Sequence, residues 1–424
     1  MKKCKLPKRS DEVEIRPEDL ECLEIVNENP IEDVIVIDGS FSTVPVKEKF
    51  PSSEITFFQF GALRFGLSDL TTMSEQEFVG PEDISKLKEE FGRLKFVIPT
   101  KNIILDDETS ILESVRKSIF DFFCSEIDFK FFDIPETEKF IDGFKWLIYE
   151  EYKDSCNSYY TLGSCPHCSM PNVPLKREEM IDYTFKCPNP KCGKTIYLTD
   201  ILRFHELINE DFGASGIIKF LLRTLEQFLL VLIIKIILKN DPNFLSKTLF
   251  IQDGPLAFFG QTAKIFASMR SLVNFLFNNY DLNLIGLEKT GPFVEHAEEL
   301  SSSSKLQSQD ILILNTKYIY SNIKYGDPHT TEPFGRSTYY GNKIIFKSNH
   351  NIYVATLPTE ENLLSPKKDD FKNIDLILTN IELLKCELYE DAIIPIVLAN
   401  RLVSISDYPS SAILKKHARK ELGE

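Results

Sequence analysis

Hydrophobic residues along the chain form two kinds of pattern that follow one another. Short runs rich in Val, Ile, Leu and Phe predict buried strands over 32–37, 247–252 and 283–287. Apolar residues at three- and four-residue spacing among charged ones predict helices over 108–124 and 136–153 that pack on one face. Because strands and helices alternate, the pattern indicates a mixed α/β fold.

The longest helix is predicted over 217–238, between Gly216 and the pair Asp241-Pro242. Its longest uninterrupted apolar run, 228–234, is far short of the roughly 18 residues that predict a membrane span. The basic residues at the start of the chain are followed by acidic ones, where a signal peptide would have its apolar region. We therefore expect a soluble, cytoplasmic protein that makes no contact with a membrane.

The C-terminal part of the chain favours strands. The serine run 301–304 is typical of a linker, and the pattern beyond it predicts meandering strands at 337–340, 343–347 and 352–357. Gly341-Asn342 is predicted to be a two-residue hairpin turn. Near the N-terminus, the apolar segment 20–26 predicts a packing helix, and the alternative is an element that docks a partner.

The composition excludes two broad classes. With 43% hydrophobic and 12% aromatic residues, the chain can bury a large core and is not a disordered protein. Its 49 basic and 64 acidic residues give a net charge of −15, which argues against a protein that coats nucleic acid with a basic surface. A local groove is still compatible, because basic residues alternate with Tyr and Phe over 301–350. That mixture suits a single strand and equally suits an ordinary antiparallel sheet.

Nine cysteines are an odd number, which argues against a disulfide framework and for a reducing compartment. Four of them form two short-spaced pairs, Cys165 and Cys168 in CPHC, and Cys187 and Cys192 in CPNPKC. Two such pairs can close a tetrahedral thiolate shell around Zn²⁺, and a closed shell leaves no open position for chemistry. The spacing therefore predicts a structural zinc ribbon inserted into the main domain.

Two aspartates each follow a predicted strand and precede a glycine. Asp38 lies after 32–37 and Asp253 after 247–252. Asp-Gly is a favoured turn dipeptide, so two plain hairpin turns are one interpretation. The other is that the two carboxylates lie at one edge of a sheet and hold a divalent metal ion.

A third acid interrupts the apolar helix. Glu226 is surrounded by leucines in LLRTLEQFLL, and Arg223 lies one turn away. Because buried charge is costly unless it is paired, Glu226 is either an exposed partner of Arg223 or a metal ligand shared with the aspartates. Glu206 is the competing third acid, and Lys289 is either a phosphate contact or a solvated turn residue.

Acids in the order strand Asp, helix Glu, strand Asp are typical of sites that hold two Mg²⁺ or Mn²⁺ ions about 4 Å apart for in-line attack on a phosphodiester. The sequence therefore predicts hydrolysis of nucleic acid, and the acids alone do not discriminate DNA from RNA. The alternative from a different class is a non-catalytic binding module with a decayed site. The presence of Asp38, Glu226 and Asp253 together favours the enzyme.

Four blocks, in order, resemble the NurA nuclease family: VIDGS (36–40), LFIQDGPL (249–256), LIGLEKTG (284–291) and IPIVLANRL (394–402). The resemblance implies an RNase H-like mixed sheet flanked by helices. It also implies a Mn²⁺-dependent DNA exonuclease and endonuclease that forms a homodimer and works with a HerA-type hexameric ATPase in DNA-end repair or antiviral defence. On this resemblance the family's first and last core aspartates are Asp38 and Asp253, and its helical glutamate is Glu226.

Two features depart from that family. The cysteine insert is absent from compact archaeal members, so the chain resembles a longer bacterial variant. Asn400 stands where many members have a histidine, and we therefore name no fourth metal ligand. The predicted segments are an N-terminal segment with a docking role (1–30), a first core part (31–160), the zinc ribbon (161–197), a second core part (198–300) and a β-rich C-terminal portion (301–424).

Overall fold

The structure is a computed structural model that describes residues 13–69, 92–127, 138–349, 351–384, 393–405 and 412–421. The strands, in chain order, are β1 (Leu20–Cys22), β2 (Asp33–Lys47), β3 (Ser53–Gly66), β4 (Gly92–Lys101), β5 (Glu126–Ile127), β6 (Glu138–Lys139), β7 (Tyr159–Ser164), β8 (Pro171–Lys176), β9 (Thr184–Lys186), β10 (Thr195–Tyr197), β11 (Thr248–Asp253), β12 (Asn283–Glu288), β13 (Asp310–Ile313), β14 (Gly341–Lys347) and β15 (Ile352–Pro358). The helices are α1 (Ile111–Cys124), α2 (Phe140–Ile148), α3 (Ile218–Asn240), α4 (Phe266–Tyr280), α5 (Pro292–Ser302), α6 (Thr316–Asn322), α7 (Ile374–Leu383), α8 (Ile394–Val403) and α9 (Ala412–Glu421).

Within the described ranges, one large sheet of nine strands runs through the molecule in the order β1-β13-β14-β15-β12-β11-β2-β3-β4. Its centre is parallel, because β11 pairs in parallel with both β2 and β12. Strands β2, β3 and β4 form an antiparallel meander on one side, and β15, β14, β13 and β1 are antiparallel on the other. Helix α4 makes the crossover between β11 and β12, as parallel neighbours require. The predicted mixed α/β sheet flanked by helices is confirmed.

Both faces of the sheet centre are buried, which explains why its strands are almost continuously hydrophobic. In β2, Ile35 and Ile37 face the core formed with helices α1 to α4. Val34 and Val36, which alternate with them, face the opposite core, where α7 and α8 pack. A strand that is buried on both sides has no polar face, so hydrophobic residues follow one another in its sequence and do not alternate with polar ones.

Helix α3 lies at the middle of the first core. Nearly all of its residues from Leu221 to Ile234 are buried, and it is apolar around most of its circumference, as a helix enclosed by protein must be. The ring of Phe228 packs against Phe144, with centroids 4.8 Å apart. None of the helices in the described ranges is long and apolar enough to cross a membrane.

The cysteine-containing insert packs onto the same core rather than standing apart. Its hairpins β7–β8 and β9–β10 contribute Leu162, Val173 and Phe185 to the cluster that contains α3. A buried ion pair joins its C-terminal side to α1, because Arg116 donates to both carboxylate oxygens of Asp200 at 2.9 and 2.7 Å. The insert is therefore fixed in place by apolar packing and by one fully enclosed charge pair.

Two local predictions are wrong. The chain does not turn at Asp38-Gly39, because β2 continues to Lys47 and pairs with β3 along a long hairpin, in which Gly39 lies opposite Phe60. Long-range strand pairing therefore overrides the local turn preference of Asp-Gly. The segment around Leu20 is not a helix, since Leu20–Cys22 is an edge strand paired with β13.

The C-terminal prediction also needs correction. Strand β14 begins at Gly341, so Gly341-Asn342 opens a strand and is not a turn, and the 337–340 stretch makes only an isolated bridge between Tyr339 and Ala257. The predicted strands 343–347 and 352–357 correspond to β14 and β15, which belong to the main sheet, and the third antiparallel strand beside them is β13, which was not predicted. The serine run 301–304 is the end of α5 and the turn after it.

Candidate active site

Three carboxylates line one cavity of about 1070 Å³ beside the parallel centre of the sheet: Asp38, Glu226 and Asp253. Strand β11 ends at Asp253, next in register to Asp38, since Gln252 pairs with Ile37. Glu226 comes from α3, which crosses this part of the sheet. The structure therefore brings together the three acids that the sequence singles out from positions far apart in the chain.

The glycine after Asp38 allows α3 to approach the sheet. A Cβ atom at Gly39 would lie 2.7 Å from Cδ1 of Leu222 and 2.9 Å from Oε1 of Glu226, which is closer than real contacts. It would also lie 2.9 Å from Cβ of Phe60 on β3, so a side chain at this position would collide with both the helix and the neighbouring strand. Gly39 is required by the approach of α3 and not by a turn.

The glycine after Asp253 has the same kind of role. A Cβ at Gly254 would lie 1.6 Å from Nη2 of Arg223, and the backbone there has φ of +98°, a conformation that favours glycine. Arg223 precedes Glu226 by one turn of α3. Both Asp-Gly pairs thus leave room for a side chain of the same helix.

Two cations and one amide hold the carboxylates in place. Nζ of Lys289 donates to Oδ2 of Asp253 at 2.8 Å. Nη1 of Arg223 lies 3.3 Å from Oε2 of Glu226 and also donates to the backbone carbonyl of Asp253. The side-chain amide of Asn400, with its nitrogen toward Asp38, donates to Oδ2 of Asp38 and accepts from Nζ of Lys289, both at 2.5 Å.

The electrostatic environment disfavours negative charge on two of the acids. Burial raises the pKa of Asp38 to about 7, and the nearby carboxylate of Asp253 adds to the rise while Lys289 opposes it. Burial raises the pKa of Glu226 to about 8, against the attraction of Arg223. Three carboxylates face two cations, so the group lacks positive charge when all of its acids are ionised.

Glu206, the competing third acid, lies elsewhere. Its carboxylate accepts hydrogen bonds from Arg203 at 2.7 and 2.6 Å, and it is not among the residues that line the cavity. The geometry therefore groups Glu226, and not Glu206, with the two aspartates.

The basic and aromatic stretch 301–350 divides between two environments. Tyr320, Lys324, Tyr325, Phe334 and Tyr339 line the cavity with the acids. Other members pair away from it, as Arg336 does with Glu332 and Lys347 with Ser301. Only part of the predicted rim therefore borders the carboxylates.

Sequence reasoning missed the cavity residues Lys219, Phe220 and Phe259. A signal for Lys219 was present, because positions 219, 223 and 226 share one face of α3 and all carry charged residues. Phe259 had no such signal, since it lies in an irregular segment after β11.

The four cysteines of the insert form a compact cluster. The Sγ atoms of Cys165, Cys168, Cys187 and Cys192 all lie within 4.8 Å of one another, so the cluster could hold a metal ion. His167, between the first pair, points away and contacts the carbonyl of Thr195 through Nε2 at 2.8 Å. In the described part of the chain, no other group of three or more His, Cys, Asp or Glu side chains brings its ligand atoms this close together. The three carboxylates of the cavity are spaced more widely.

Comparisons with known proteins add little to this geometry. No family model matches the chain, and no curated protein matches its sequence. Among solved structures, the chain is similar to one titled "Crystal structure of NurA", with 10% identity and a TM-score of 0.31 over 94% of this chain and 90% of that one. A likeness of this size assigns neither activity nor site residues, so the function is argued from the site itself.

We predict that Gly39→Ala lowers the free energy of unfolding by about 1–3 kcal/mol, because the added methyl group overlaps Leu222 and Glu226. Urea denaturation measures the change. The matched control is Gly216→Ala, where the nearest atom to the new Cβ is the carbonyl oxygen of Leu207 at 3.7 Å. The control should stay within about 0.5 kcal/mol of the wild type. Equal stability of the two variants would contradict the close approach of α3.

Proposed function

We propose that the protein is a metal-dependent nuclease that hydrolyses phosphodiester bonds of DNA in the cavity lined by Asp38, Glu226 and Asp253. The observation that carries the proposal is the meeting of these three carboxylates, two from neighbouring parallel strands and one from the crossing helix, beside Lys289 and Arg223. Carboxylates on rigid elements, with cations next to them, suit a reaction in which charge develops on phosphate oxygens.

The donor set fits a hard divalent cation such as Mn²⁺ or Mg²⁺. Its ligand atoms are carboxylate oxygens, which these ions prefer. Burial, with a smaller effect of the neighbouring carboxylates, raises the pKa of Asp38 and of Glu226, and a bound cation would favour the ionised form of both acids. Held by these residues, such ions would neutralise phosphate charge and would lower the pKa of an attacking water molecule.

The side chains of this chain have separable roles in the proposal. Asp38, Asp253 and Glu226 would hold the metal ions. Arg223 orients Glu226 and the end of β11, since it bonds both. Lys289 is partly exposed to the cavity and can exchange its bond to Asp253 for a bond to a phosphate oxygen. Asn400 keeps Lys289 and Asp38 at a fixed separation.

The sheet topology supports the RNase H-like fold that the sequence resemblance implies. Three antiparallel strands, β4, β3 and β2, continue into two parallel ones, β11 and β12, and α3 lies between the meander and β11 in the chain. The acids lie on the first strand of the meander, on this helix and at the end of the first parallel strand after it.

We predict that Asp38→Asn, Asp253→Asn and Glu226→Gln each lower DNA hydrolysis with Mn²⁺ by roughly 100-fold or more, because each removes a ligand oxygen charge. End-labelled linear DNA, with and without EDTA, measures the loss. The melting temperatures of Asp38→Asn and Glu226→Gln should not fall, since burial disfavours the charges that these substitutions remove.

The matched control for this series is Glu206→Gln, which should keep nearly full activity because Glu206 bonds Arg203 outside the cavity. Full activity of Asp38→Asn and Asp253→Asn would end the assignment at these residues. An inactive Glu206→Gln beside an active Glu226→Gln would mean that the helical acid is Glu206.

We further propose that the cysteine cluster holds one structural Zn²⁺ per chain. Four thiolates close the metal's tetrahedron, and two of them, Cys165 and Cys187, are buried. Protein purified with reductant should contain about one zinc per chain by elemental analysis, and Cys187→Ser should lose the metal and much of its solubility.

Cys22→Ser is the control for the zinc prediction, because Cys22 is an exposed cysteine outside the cluster. It should keep the metal and the solubility of the wild type. The folded fraction of Cys187→Ser should retain hydrolysis at the separate carboxylate site. Wild-type protein without zinc would refute the assignment.

The homodimer and the HerA-type ATPase are proposed from the sequence resemblance alone. A chain with a net charge of −15 should bind duplex DNA weakly at physiological salt, because such binding depends on several phosphate contacts. A translocating ring would raise the local concentration of DNA at the cavity. We expect the ATPase and ATP to accelerate degradation of long linear DNA and the two proteins to co-elute. Equal rates with and without the ATPase would contradict the partnership.

A further inference from the structure

Five aromatic residues that line the cavity are in contact with one another, and the nuclease proposal does not use them. Ring centroids lie 5.5 Å apart for Phe259 and Tyr339, 5.6 Å for Tyr339 and Phe334, and 5.8 Å for Phe334 and Tyr320. Phe293 joins them through Phe334 at 5.6 Å. All five residues line the same cavity as the carboxylates. We refer to these five residues as the aromatic wall.

The wall is supported from behind by a buried charge. Nζ of Lys343 lies 4.4 Å from the ring centroid of Phe293 and 4.9 Å from that of Tyr339, and it is paired with Glu288. Arg270 in α4 bonds the carbonyl of Tyr339 and holds that segment from another side. The rings are therefore fixed in place, while Phe259, Phe334 and Tyr320 stay partly exposed to the cavity.

Positive charge accompanies the wall. Lys219, Arg223, Lys289 and Lys324 also line the cavity, although the chain as a whole is strongly acidic. Aromatic faces next to cations match the two chemical parts of a nucleic-acid strand, because bases stack on rings and phosphates bind ammonium or guanidinium groups. A phosphate alone would need the cations and not the rings.

We propose that the aromatic wall is a subsite for unpaired nucleobases of the strand that is cut at the carboxylates. The proposal rests on the proposed nuclease function and specifies its substrate as single-stranded or frayed DNA. A base inside a duplex has both faces covered by its neighbours, so only an unstacked base can present a face to the wall. Stacking of one base on an aromatic side chain changes affinity by about 5- to 150-fold.

A binding experiment separates this inference from catalysis. Wild-type protein in EDTA is titrated into a single-stranded oligodeoxynucleotide that contains 2-aminopurine, whose fluorescence falls when it stacks on a ring. Phe334→Leu and Phe259→Leu, which keep apolar bulk but remove the aromatic face, should bind about 5- to 150-fold more weakly and with less quenching. Phe212→Leu is the matched control, because Phe212 is 79% exposed and does not line the cavity.

A cleavage experiment tests the subsite during turnover. One abasic position is moved along an end-labelled single strand. The wild type should cleave beside the missing base more slowly than it cleaves the intact strand. The factor should be about the one by which the wall variants cleave the intact strand more slowly than the wild type does. The wall variants should show no further loss on the abasic strand. Melting temperatures identify any variant that has not folded, in which case the other leucine variant carries the test.

The outcomes distinguish the two proposals. Quenching by the wild type that is lost in the wall variants supports the subsite even when no cleavage occurs, in which case only the nuclease proposal fails. Equal affinity and quenching in wild type and wall variants overturn the subsite. Equal affinity for a fully paired duplex of the same sequence, with the same loss of affinity in the wall variants, also overturns it, because no unstacked base is then required.

Discussion

The structure depends on one constraint, which is the cost of placing a carboxylate inside an apolar helix that is packed tightly on a sheet. Glu226 lies on α3 among buried leucines, and its charge is unfavourable there. Helix α3 nevertheless approaches the strands so closely that Gly39 and Gly254 have no space for a side chain. Arg223 pairs with this carboxylate, while Lys289 and the amide of Asn400 bond the two neighbouring aspartates. The cavity therefore lacks positive charge when all three acids are ionised, and the proposed divalent metal ions would supply it.

Much of this could be predicted from the sequence where burial alone decides the structure. The run 32–37 and the helix 217–238 are enclosed on all sides, so their hydrophobic patterns have little dependence on distant partners. The two aspartates can be identified because each follows an apolar strand segment and precedes a glycine, and Glu226 because it interrupts an apolar helix. The same reasoning explains the grouping of the cysteines, since metal-ligand spacing is a local property of the chain.

The errors arose where a distant partner overrides a local preference. Asp38-Gly39 has the composition of a turn, but the pairing of β2 with β3 extends the strand through it. Leu20–Cys22 is a strand because β13 offers it an edge, and nothing in the local pattern identifies that edge. The aromatic wall was only partly predicted for the same reason: Phe259 joins it from a segment that has no periodicity. Asn400 was identified only as a departure from a family pattern, and its contact with both Asp38 and Lys289 follows from the packing of α8.

The dispersion of the site along the chain has a consequence for biogenesis. The acidic site takes its side chains from five positions that are far apart in the chain, namely 38, 226, 253, 289 and 400. The central parallel strands are also far apart in the sequence. Contacts of such long range form late in folding, because the intervening loop must be closed first. During synthesis, β2 and its meander leave the ribosome long before α3, β11 and α8 can cover them. A nascent chain therefore lacks the assembled acidic centre until the segment that carries Asn400 has emerged, so the proposed hydrolysis cannot begin while only β2 and its meander are outside the ribosome.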